Sequence, residues 1–185
     1  PLGSLASIKR PRNKSGSASF GGVATCKRWT CPTCGCSKSK LVAQEIKQAI
    51  KQAKSEAYHS CMLTLTQSSK SHNILKDDIQ EHNRSIQKFL KNIKKVGYIK
   101  SLGVTQSNHK WHVHSHIILM TVQKLKKEDI AKLATKWSKA TGSKASLEHG
   151  LKVTGCDHAA HYIANQIPKT ARQLLEMYQA SEDSL

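Results

Sequence analysis

Three histidines alternate with other residues in Trp111-His112-Val113-His114-Ser115-His116, and the run continues into Ile117-Ile118-Leu119-Met120. In extended backbone, side chains at i, i+2 and i+4 share one face. His112, His114 and His116 therefore line one side, with Val113, Ser115 and Ile117 on the other. Neutral imidazole is the commonest protein metal ligand, so two or three on one face can hold a divalent ion. A single histidine would be read as part of a polar, solvated sheet face. Three in strict alternation, leading into a buried apolar run, point to a metal.

A second constellation is Cys26-x4-Cys31-Pro32-x-Cys34-Gly35-Cys36, which holds four of the six cysteines. A lysine-rich chain with no visible export signal is a poor setting for disulfides. Pro32 and Gly35 are expected to supply tight turns that let sulfurs converge on one ion, as in zinc knuckles and ribbons. Cys31-x2-Cys34 is the stronger half of the motif. Cys34 and Cys36 are unusually close, so His59 or Cys61 can stand in as the remaining ligand. A redox Cys-x-x-Cys motif is the weaker alternative.

A third feature lies near the end of the chain. Asp157 can cap a short helix that Pro168 disfavours at Ile167. Within it, Ala159, Ala160, Ile163 and Ile167 form an apolar side, while His158, Tyr162 and Gln166, spaced by four, stack along a different stripe. A tyrosine flanked by a histidine and an amide suits catalysis. Packing is the commoner role for a tyrosine on a small helix, so the stripe alone assigns no chemistry.

These groups sit in a strongly basic chain of 185 residues, with 30 Lys+Arg against 12 Asp+Glu and a formal charge of +18. Such an excess suits a polyanion, because neutralised phosphates release counterions. An anionic membrane surface is the rival partner, but no apolar run approaches the roughly 18 residues of a membrane-spanning helix. Nucleic acid is the expected partner and the cytoplasm the expected location. No Walker-type glycine loop appears, so no ATPase or helicase activity is expected of this piece.

The elements that must position the chemistry follow from hydrophobic period. Residues 38–57 read as a helix, with Val42, Ile46, Ile50 and Ala53 on its apolar side. Residues 61–66 read as a strand with Cys61, Leu63 and Leu65 on one face and Thr64 and Thr66 on the other. Residues 74–96 read as an amphipathic helix with Leu75, Ile79, Ile86, Phe89, Leu90 and Ile93 inward, stopped by Gly97. Tyr98–Thr105 and the histidine strand form a hairpin across the polar 106–110 turn. A helix over 126–140, ended at Gly142, precedes a short edge strand at Leu151–Val153, and a last helix is expected over 170–179. Pro1-Leu2-Gly3-Ser4 resembles the scar of a cleaved fusion tag, followed by a flexible basic tract to about Phe20.

Taken in order, the cysteine cluster, the strand Leu63-Thr64-Leu65-Thr66, Tyr98-Ile99-Lys100-Ser101-Leu102-Gly103-Val104-Thr105, Trp111-His112-Val113-His114-Ser115-His116 and Ala160-His161-Tyr162-Ile163-Ala164 resemble rolling-circle plasmid replication initiators of the HUH endonuclease class. The resemblance runs from about Cys26 to Lys169. It implies an α+β fold, a ferredoxin-like or RRM-like antiparallel sheet with flanking helices, together with a small N-terminal zinc-binding element. It also implies metal-dependent nicking and rejoining of single-stranded or hairpin DNA at an origin, through a 5′-phosphotyrosine. His114 and His116 match the histidine pair, His112 the additional upstream histidine, and Tyr162 the nucleophile. Gly103 stands where these initiators usually carry Glu, so the third ligand to Mg²⁺ or Mn²⁺ is open between His112 and Gln166. Asn165 stands where a lysine often follows the tyrosine, with Lys169 near enough to serve.

The resulting division is a tag remnant and basic tract at 1–20, a Zn²⁺-binding element and helix at 21–58 using Cys26, Cys31, Cys34 and Cys36, and the endonuclease domain at 59–185. Host helicase and polymerase are further expected partners. The competing readings are an HUH transposase, a nuclease using activated water, and a non-enzymatic zinc-containing nucleic-acid-binding module.

Overall fold

The computed structural model describes residues 7–9, 19–21, 32–67, 74–107, 110–143, 150–157 and 159–164. Its elements are β1 (Ser7–Lys9), β2 (Ser19–Gly21), α1 (Pro32–Ser55), β3 (His59–Thr66), α2 (Leu75–Lys91), β4 (Gly97–Ser107), β5 (Lys110–Thr121), α3 (Lys127–Thr141), β6 (Leu151–Thr154) and α4 (Ala159–Ala164).

From β3 onward the order is β-α-β-β-α-β, and the four strands form one antiparallel sheet in the order β4-β5-β3-β6. This is the split βαβ arrangement of the ferredoxin-like fold, and the chain is α+β as expected. Alternation along β3 and β5 divides the apolar residues between the two faces. Leu63, Leu65, Ile117 and Leu119 face α2 and α3, where they form the larger core with Ile86, Phe89, Leu90, Leu133, Trp137 and Leu151. Phe89 meets Trp137 edge to face, with centroids 5.5 Å apart. Trp137 Nε1 donates to the Thr66 carbonyl at 3.0 Å, satisfying the indole's polar end while tying α3 to the end of β3. On the opposite face Ile118 packs with Ile46 of α1 and with Ala159, Ala160 and Ile163 of α4.

Local chemistry explains the ends of the helices. Asp129 accepts from the Lys126 backbone N–H at 3.0 Å at the start of α3, and Gly142 ends it in the left-handed region at φ 65°. Asp77 and Asp78 lie in the first turn of α2 and Lys88 and Lys91 in its last, as the helix dipole favours.

Three details differ from the sequence expectation. Helix α2 closes at Lys91 with Asn92 as its C-cap, and Gly97 instead opens β4, paired with Met120. The chain needs residues 92–96 to turn back onto the sheet edge, so the helix ends a turn before the glycine. Pro32 and Gly35 do not form turns, because both lie within α1. Proline at a helix start loses no hydrogen bond and has its φ already set. Within the N-terminal tract expected to be irregular, β1 and β2 pair antiparallel.

Candidate active site

Strand register assembles the site on the α1/α4 face of the sheet. Opposed residues in antiparallel strands share a face, so each pairing identifies a neighbour. His116 lies between Ser101 of β4 and Thr64 of β3, and Thr64 in turn pairs with Lys152 of β6. His114 lies between Gly103 and Thr66, and His112 opposite Thr105. Toward the other end of the sheet the same face turns apolar, with Ile118 between Ile99 and Met62. The imidazoles therefore begin where the apolar cover of α1 and α4 leaves off.

His114 and His116 come together. Their ring centroids are 5.0 Å apart and the planes meet at 73°. With a metal–nitrogen bond of about 2.1 Å, two imidazoles on one ion would have centroids roughly 4.6 Å apart at a right angle and about 5.3 Å apart at the tetrahedral angle. The spacing fits shared coordination. His116 Nδ1 is 3.1 Å from Thr64 Oγ1, so a metal bond from this ring would run through Nε2. A hydrogen bond to the second nitrogen fixes tautomer and ring orientation, as around protein metal ions generally. His116 is only 1% exposed, and burial, assisted by the charge of His114, pushes its imidazole down to about 4. At neutral pH the ring is uncharged, the form that binds cations. Among the described residues no group of three or more His, Cys, Asp or Glu converges on a cation position.

The other residues expected to serve a site fall as follows. His112 is on the imidazole face but exposed. Gly103 is directly across from His114, the position from which an acidic side chain would have joined the pair. Tyr162 belongs to α4, whose Ala159, Ala160 and Ile163 pack on this same face. Gln166, His158, Lys169, Cys26 and Cys31 lie outside the described residues. Of the cysteine cluster, Cys34 is buried and Cys36 falls within α1. Cys61, an alternative ligand for that cluster, packs against the larger core, where burial pushes its thiol up to about 11. His59 is exposed at the start of β3.

Three further residues contribute, two of them with no signal in the sequence. Thr64 reaches His116 only through strand register. Lys152 takes its place in the row of Ser101, His116 and Thr64 through β6 pairing, with Leu151 buried in the core behind it. The third is His82 of α2, 1% exposed, whose Nε2 is 3.1 Å from Ser115 Oγ on the reverse side of the histidine strand. Its ring meets Trp137 edge to face, with centroids 5.7 Å apart. Burial first, then the charges of His114 and Lys100, push it down to about 4. A signal for it existed: position 82 fills the gap in the inward stripe 75, 79, 86, 89.

A profile for a family of replication proteins matches residues 19–139, well over half of the 185-residue chain. The chain belongs to this replication protein family. The matched stretch holds the cysteine cluster and both site histidines and ends before Tyr162. No curated protein and no solved structure matches the chain. As a replication initiator the protein is expected at origin DNA, in keeping with its charge of +18. No helix among the described residues is long and apolar enough to cross a membrane.

Proposed function

We propose that this replication initiator nicks and rejoins single-stranded DNA at a rolling-circle origin, with Tyr162 as the nucleophile and His114 and His116 as ligands to a divalent cation. The observation that carries this reading is the packing of α4 on the imidazole face. Ile163, the residue after Tyr162, shares a cluster with Ile118, and Ile118 follows His116 by two residues, about 7 Å along the strand. Tyrosine and imidazoles thus belong to elements that meet on one side of one sheet.

Cleavage needs an oxygen nucleophile in line with the leaving oxygen and relief of charge on the phosphate. A bound Mn²⁺ or Mg²⁺ supplies Lewis acidity at a phosphate oxygen. The chain's own residues do the rest. Thr64 holds the His116 tautomer, and the apolar cluster around Ile118 closes one side of the site to water. Tyr162 Oη attacks phosphorus, the bond to the 3′ oxygen breaks, and a 5′-phosphotyrosine forms. A phenol of pKa about 10 is protonated at neutral pH, so its proton passes to the phosphate, to water or to His158. Return attack by the freed 3′-hydroxyl rejoins the strand. Zinc at Cys26, Cys31, Cys34 and Cys36 has a structural role in this scheme, separate from the imidazole site.

The test is a denaturing gel of protein with labelled single-stranded DNA and Mn²⁺. Tyr162→Phe should retain DNA binding and lose the covalent adduct. An unchanged adduct yield would move the nucleophile to Tyr178, Tyr98 or Tyr58, and cleavage with no adduct in the wild type would indicate an activated water.

A further inference from the structure

We propose that a lysine-rimmed cleft at the far end of the sheet is a second DNA site, which takes the sugar–phosphate backbone of duplex DNA. The inference rests on origin-DNA binding by this family of initiators and not on the tyrosine chemistry.

The cleft, about 590 Å³ in volume, lies between the α2–β4 connection, the β5–α3 connection and α3. Among the described residues Lys94, Lys95, Lys124, Lys132 and Lys136 line it, against one carboxylate, Asp129. Two of the lysines are held in place. Lys95 Nζ donates to the Leu90 carbonyl at 2.5 Å, and Lys136 Nζ donates to the Asn92 carbonyl at 2.7 Å. Both carbonyls lie at the C-terminal end of α2, where the helix dipole favours cations. Asp129 is already engaged by the Lys126 backbone N–H. No ion pair ties any of the five lysines to a carboxylate among the described residues. Lysines on a merely solvated face typically alternate with acids along a helix. Here three separate segments bring five cations around one concavity.

Position and lining select the occupant. Thr121 at the end of β5 borders the cleft, seven residues or about 23 Å along the strand from His114, and α3 places the cleft on the side of the sheet opposite the imidazoles. A phosphate held at the imidazoles cannot reach the cleft, so the cleft takes a separate stretch of DNA. Single strands are gripped mainly by stacking bases on aromatic rings; none of the described residues lining the cleft is aromatic, and the neighbouring Tyr98 ring is capped by Lys95 Nζ, 5.8 Å from its centroid. Its open apolar surface is Val96, 47% exposed, and Val122, 68% exposed. What remains for recognition is phosphate and sugar, the contacts that position a duplex without reading its bases.

The experiment compares Lys94→Gln/Lys124→Gln/Lys132→Gln, which spares the two anchored lysines, with a control of equal charge loss, Lys51→Gln/Lys54→Gln/Lys139→Gln, exposed outside the cleft. Binding of a labelled duplex and of a labelled single strand of equal length is followed by anisotropy over roughly 50–200 mM salt. For the cleft variant, the slope of log affinity against log salt on duplex should become shallower by about 2–3, close to one per lost phosphate contact. Its single-strand slope should stay near wild type, and the control should leave both slopes near wild type. An unchanged duplex slope overturns the proposal. So does an equal change in the control, or an equal change on the single strand. Because the readout is binding, failure of the tyrosine chemistry leaves this result interpretable.

Discussion

Removing the imidazole of His82 should flatten the dependence of stability on acid. In the folded chain His82 is 1% exposed, backed by Trp137 and Ser115, and burial holds its ring neutral down to about 4. Its Nδ1 has no hydrogen-bond partner among the described residues. In the unfolded chain the same ring titrates near 6.5. The sign follows directly. Between those two values the unfolded state carries a proton that the native state refuses, so stability is complete above pH 6.5 and is lost as pH falls toward 4. The slope from this one group is about 1.4 kcal/mol per pH unit, and the cumulative loss is roughly 3 kcal/mol. That is a sizeable part of the 5–15 kcal/mol typical of a folded domain. Urea unfolding followed by tryptophan fluorescence, at several pH values between 7 and 4.5, gives the slope for wild type and for His82→Leu. Whatever the variant's stability at pH 7, its curve should be shallower by about 1.4 kcal/mol per unit. His114 and Lys100, the charges that act on His82, are present in both proteins and cancel. Parallel curves would refute the assignment of His82 as a buried neutral ring.

Thr64→Val removes the oxygen 3.1 Å from His116 Nδ1 while nearly conserving shape. It should weaken Mn²⁺ binding about 10–100-fold, measured by titration calorimetry, with the melting curve of the apo protein little changed. Trp137→Phe deletes the donor to the Thr66 carbonyl in the core. It should cost about 1–3 kcal/mol in urea unfolding, and a cost near zero would show that the bond is not formed. Among the described residues no carboxylate joins the two imidazoles in a three-ligand cation site, which makes the pair a poor host for Mg²⁺, an ion that prefers oxygen ligands. Mn²⁺ should therefore support adduct formation at lower concentration than Mg²⁺, and equal potency would point to acidic ligands outside the described residues.

Much of the site was legible because strand period is a local property. Three histidines at spacing two share a face in any strand, and the apolar run Ile117–Leu119 said that the strand would be buried. The helix at 74–96 is readable from its stripe, but it ends at Lys91, before Gly97. Gly97 looked like a stop signal, but the return path to the sheet edge set the boundary instead. His82 escaped notice because a polar residue in an apolar stripe reads as an interruption. Its role depends on Ser115, a residue 33 positions away. Pro32 and Gly35 suit a turn or a helix start equally well, and the structure selects the helix.

Residue types and their periods, set by covalent geometry within a few neighbours, were enough to determine the classes of element and the face on which the imidazoles lie, and the net charge of +18 suits a polyanion. Pairing across the sheet decided the rest. It put Thr64 against His116, Gly103 across from His114 and Lys152 in the same row, and it set α4 on the imidazole side. It also gathered lysines from three segments around one cleft. Register and helix docking are fixed by packing between residues distant in the chain, where one slipped residue would send every side chain to the opposite face.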